Sequence, residues 1–158
     1  MAAPDPAETA SAAGEVARRC AETMYAADEA SRRAGVTVTD VTPGHAVARM
    51  TVRADMINGH EICHGGYVFL LADTAFAFAC NTYDAVTVAQ ACDIAFVAPA
   101  RLGDELVATA VERLRSGRTG IYDITIRRAG SDREPGDVVA EFRGRSRTIN
   151  GTILGETT

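Results

Sequence analysis

A chain of 158 residues suits one domain that buries roughly two thirds of its surface. Its net charge of -5 argues against a general nucleic-acid binder, because neutralising phosphates needs a basic excess. All 16 basic residues are arginine, which excludes Schiff-base chemistry on a lysine and a P-loop lysine from this chain.

Residues 1–12, MAAPDPAETASA, are small, polar and Pro-containing and predict a mobile tail. Residues 13–149 read as one domain, and 150–158 as a second tail. The first residues show neither a basic n-region nor an apolar h-region. Cys20, Cys63, Cys80 and Cys92 form no paired framework, so the chain reads as cytosolic and reduced. From Gly14 to Ala34, Val16, Cys20, Met24 and Ala27 recur at helical spacing, with a break near Asp28 and a left-handed stop at Gly35. VTVTDVT, the turn Pro43-Gly44 and HAVARMTV then predict a hairpin with Ala46, Ala48, Met50 and Val52 on one face.

The loop ADMINGHEICH leads to Gly65 and Gly66, which open an apolar helix ending near Asn81. Its longest apolar run is too short to span a membrane and is interrupted by Asp73. Residues 85–98 alternate, with Val86, Val88, Cys92, Ile94 and Phe96 on one face and Ala89, Ala91, Asp93 and Ala95 on the other. Alternating segments follow at 104–115 and 119–128 around Ser116-Gly117, and from Val138 to Ile149. An antiparallel sheet wrapped around one central helix covers an apolar helix best, so the order of elements predicts an α+β hotdog fold.

Asp73 is the anomaly in the helix YVFLLADTAFAFAC. An ionised carboxyl out of water costs several kcal/mol unless partners or solvent reach it, so it points to a site opening onto the helix. Exposed amides at Gly65 and Gly66, reinforced by the helix dipole, suit an oxyanion or a polarised carbonyl. The plainer alternatives are a glycine pair that merely lets the loop turn, and a structural aspartate. Asp73 lies eight residues after Gly65, a rise of about 12 Å. If both act on one carbonyl, they belong to different subunits, and the protein is at least a dimer.

NGHEICHGGYVFLLADTAFAFACN, with ACDIAFVAPARLGDEL, RTGIYDI and AEFRGRSR, resembles the phenylacetic-acid-degradation (PaaI) branch of the hotdog acyl-CoA thioesterases over residues 15–149. The resemblance implies hydrolysis of phenylacetyl-CoA or a ring-hydroxylated relative, without cofactor; no metal is expected either, since His60, Cys63 and His64 have no second pair at suitable spacing to complete a zinc site. It also implies dimers that pair into tetramers, a Gly65 amide polarising the thioester carbonyl, and Asn58 beside the thioester. Asp73 is then either general base or nucleophile. Expected substrate contacts are His64, Gly66 and Thr74, with Arg143 and Arg145 as candidates for the CoA phosphates. The plainer reading of Thr74 is a bond back to a helix carbonyl, and that of the arginines is solvation of an outer sheet face. Cys63, near a helix N-terminus and beside a histidine, is a rival nucleophile. A hydratase or dehydratase and a non-catalytic acyl-CoA-binding module are the alternative functions.

Overall fold

The computed structural model describes residues 6–131 and 134–155. Helix α1 (Pro6–Ala27) starts earlier than expected, inside the stretch read as a tail; proline fits the first helical turn, where its missing N–H costs nothing. The expected break is Asp28, whose carboxylate accepts the Ser31 amide at 3.0 Å and caps α2 (Glu29–Arg33). Gly35, at φ 73°, ends it. Strands β1 (Thr37–Thr42) and β2 (His45–Thr51) form the hairpin, and helix α3 (Gly65–Cys80) is the apolar run. Strands β3 (Thr87–Phe96), β4 (Glu105–Ser116), β5 (Thr119–Arg128) and β6 (Val138–Thr148) follow.

The six strands form one antiparallel sheet ordered β1-β2-β4-β5-β6-β3. It curls around α3, so Leu71, Ala75, Phe76 and Ala79 are wholly buried, together with Ala46, Ala48, Ala108 and Ala110 of the sheet. These alanines let the helix approach β2 and β4 closely. Gly144 serves the same end on β6: a Cβ there would stand 2.7 Å from the Phe76 ring.

Burial of α3 is not complete all round. Gly66, Phe69, Leu70, Asp73 and Ala77 are only partly covered or exposed, and their i, i+3, i+4, i+7, i+11 spacing makes them one stripe. Beside this stripe runs β3, a sheet edge that among the described residues pairs only with β6. Most of its residues, Val88 to Ala91 among them, are exposed.

The alternation expected along residues 85–98 is broken by a bulge at Gln90, since Ala89 pairs with Ser146 and Ala91 with Arg145. One extra residue reverses the faces on either side of it. Val88 therefore lies with Arg147 on the outer face, opposite to Cys92 and Ile94, which pair with Gly144 and Phe142. The segment after β6 is also tied down: Ile149 donates to the Val86 carbonyl at 2.8 Å and Leu154 to the Asp84 carboxylate at 2.8 Å.

Candidate active site

The loop before α3 is built to present one free amide. Asn58 Oδ1 accepts the His60 amide at 2.9 Å and the Asn58 amide donates to Ile62 at 2.9 Å. Cys63 N–H donates to Ala100 and His64 N–H to Met56, both at 2.8 Å. His64 Nδ1 then accepts the Gly66 amide at 2.9 Å as the helix N-cap. The Gly65 amide has no acceptor among the described residues. Of the two amides expected at the helix opening, Gly66 is occupied by His64, and Gly65 is the one a carbonyl oxygen can use.

Asn58 and Gly65 line one cavity of about 480 Å³, with Ile62, Val68, Phe96 and Val139 among its apolar walls. The Asn58 oxygen is held in the loop, while its NH₂ has no acceptor among the described residues. Arg128 braces the far rim by donating to the Pro99 carbonyl and, at 2.9 Å, to Asp104.

Asp73 is half-buried and has no hydrogen bond or ion pair among the described residues. Burial alone pushes its carboxyl above the ordinary aspartate range. It stands near enough to β3 that, after burial itself, its charge helps raise the Cys92 thiol. Asp73 is not part of the cavity that Asn58 and Gly65 share. Within one chain the helix separates it from Gly65 by about 12 Å.

The other expected contacts lie elsewhere. Thr74 is 7% exposed; its hydroxyl donates to Leu70 at 2.8 Å and lies 3.0 Å from Ser31 Oγ. It thus faces α2, and the plainer reading, a bond back to the helix, describes it. Arg143 grips Asp123 through both carboxylate oxygens, at 2.6 and 2.9 Å, and Arg145 pairs with Asp93 at 2.8 Å. Either would have to leave a carboxylate to hold a CoA phosphate. A larger hollow of about 540 Å³ lies on this outer face. Its two arginines, Arg113 and Arg143, both pair with Asp123, and it contains none of Asn58, Gly65 and Asp73, so the smaller cavity is the chemically relevant one.

Cys63 lines the cavity but is 5% exposed, and burial raises its thiol pKa, which disfavours the thiolate form a nucleophile needs. Among the described residues, no three His, Cys, Asp or Glu side chains are grouped to hold a metal ion, and no helix is long and apolar enough to cross a membrane. The alternation of residues 85–98 shows Phe96 only as one residue of a strand face. Its ring in fact rests against Gly65, a juxtaposition created by the sheet curling past the helix start.

The thioesterase superfamily profile matches residues 60–134. The acyl-coenzyme A thioesterase PaaI of Escherichia coli is 46% identical over 136 residues, covering 86% of this chain and 94% of that protein. The structure of the E. coli PaaI protein from the phenylacetic acid degradation operon superposes with a TM-score of 0.83 at 44% identity, covering 88% of this chain and 97% of the other. A single-residue mutant of the phenylacetic acid degradation protein PaaI from Thermus thermophilus gives 0.71 at 34% identity, over 77% and 100%. With its sheet wrapped around α3 and its His-Gly-Gly helix opening, the chain belongs to the PaaI family of hotdog-fold acyl-CoA thioesterases and is a thioester hydrolase.

Proposed function

We propose that the protein hydrolyses phenylacetyl-CoA, or a ring-hydroxylated relative, to the free acid and CoA. The active sites are shared between subunits of a cytoplasmic homodimer, two of which pair into a tetramer. The observation that carries the shared site is Asp73. A half-buried carboxylate without a partner among the described residues, on a partly open helix stripe beside an unpaired strand edge, is an incomplete arrangement. A second copy bringing its own stripe and β3 edge alongside completes it, and carries the Gly65 amide of one subunit toward Asp73 of the other. The substrate class is supported by the E. coli relative, which is named an acyl-coenzyme A thioesterase, and by the operon named with its structure.

In this site the Gly65 amide donates to the thioester oxygen as negative charge develops on it. The Asn58 NH₂ orients the thioester or the water. Asp73 acts in one of two ways. As a base it takes a proton from water while the water oxygen bonds to the acyl carbon; the C–S bond then breaks and the proton passes to the CoA thiolate. As a nucleophile its own oxygen forms the bond to carbon, expelling the thiolate, and water then cleaves the resulting anhydride.

A panel of phenylacetyl-, hydroxyphenylacetyl-, hexanoyl- and crotonyl-CoA, followed by free-thiol release, tests the reading. Thiol release fastest on the aryl substrates is expected. Tight binding without turnover indicates a binding module, and loss of the crotonyl double bond without thiol release indicates a hydratase.

A further inference from the structure

Phe96 is 56% exposed, although it is one of the bulkiest side chains on β3. Its ring is not idle in the fold. A Cβ placed on Gly65 would lie 3.0 Å from Phe96 Cζ, 3.2 Å from Cε1 and 3.6 Å from Cε2, so the outer edge of the ring abuts the glycine with the free amide. The backbone beneath it is fixed, since Phe96 pairs with Ala140 and the Val97 amide donates to Val139 at 2.8 Å. More than half of the ring's residue surface is open in the single chain.

Apart from Asn58, the rest of the cavity beside Gly65 is aliphatic or small, including Ile62, Val68, Ala98 and Val139. The ring contacts among the described residues join Tyr25 to Phe78, Phe69 to Phe142, and Phe76 to Tyr122 and Phe142. None involves Phe96, so an aromatic acyl group entering this cavity would be its first ring neighbour. Aromatic pairs in offset or edge-to-face contact gain attraction beyond the area they bury; a straight acyl chain of similar size gains only the burial.

Building on the aryl-thioesterase reading above, we infer that Phe96 is the specificity-determining residue for that acyl group. Its ring turns off Gly65 as the thioester carbonyl arrives and packs against the substrate ring. A glycine beneath it leaves the ring room to lie against the free amide.

The test is kcat/KM for phenylacetyl-CoA divided by that for hexanoyl-CoA, in wild type, Phe96→Leu and Phe96→Tyr. All three are checked for equal elution volume and melting temperature; the side chain is exposed, so the variants are expected to fold. Phe96→Leu is expected to lower the ratio roughly three- to tenfold, mainly by raising KM for the aryl substrate, while Phe96→Tyr stays within about twofold because the ring is kept. A ratio unchanged in Phe96→Leu, from a selective wild type, overturns this inference alone. A wild type with no aryl preference overturns the substrate reading, and this inference with it.

Discussion

Asp73→Asn is expected to lower kcat on the best aryl thioester by roughly 10²- to 10⁴-fold, the usual contribution of a positioned base, and to make the folded protein more stable at neutral pH. Both effects have one origin. The carboxylate is half-buried with no partner among the described residues, and burial raises its pKa from the ordinary 3.8. Between that value and the raised folded-state value, the native state binds more protons than the unfolded chain. Stability therefore falls as pH rises through this window and stays reduced above it. Asparagine cannot ionise, so the variant escapes that loss and melts higher at pH 7. Wild-type kcat/KM falls on the acid side through the same raised pKa, because both the base and the nucleophile require the ionised form. Differential scanning calorimetry at a series of pH values from about 3.8 up to neutrality and a kcat/KM profile check the pair. A variant that is inactive and also less stable would place Asp73 in a structural role.

Gly65→Val is expected to cost about 10²- to 10³-fold in kcat/KM, comparable to removing an oxyanion donor. The new Cβ would stand 3.0 Å from Phe96 Cζ, closer than ordinary packing allows, and its methyl groups would crowd the approach to the Gly65 amide. The fold survives because the obstructing ring is half exposed and can swing outward. Steady-state kinetics with a circular dichroism melt check it: the predicted result is a large activity loss with a melting temperature close to wild type. Retained activity would mean that the thioester oxygen docks away from this amide.

The hairpin at Pro43-Gly44 and the long strands are legible because they rest on an alternation repeated over several residues, and the helix from Gly65 because it is a long continuous apolar run after a glycine pair. The hotdog arrangement followed from one all-apolar helix needing a wrap. Features set by single residues or distant partners were not legible. The bulge at Gln90 reverses the faces of β3 with no compositional mark, which is why Val88 falls on the opposite face to Cys92. The early start of α1 at Pro6 hides among small polar residues. The pairing of Arg143 and Arg145 depends on Asp123 of β5 and Asp93 of β3, brought beside β6 only by the sheet order. His64 as cap of Gly66 sharpens the helix opening to a single amide, a distinction that the triplet His-Gly-Gly alone does not make.

The central claim, one site assembled from two subunits, is tested most directly by complementation between two inactive variants. Co-expressed Asp73→Asn and Gly65→Val chains, carrying different affinity tags, purified through both and cross-linked within the dimer to count the mixed ones, form mixed dimers. Each mixed dimer then holds one site with both wild-type groups and one with neither. The account predicts about half of wild-type activity per mixed dimer, far above either parent. Mixed dimers no more active than the parents would contradict it, because a site contained within one chain has nothing to recover by exchanging partners.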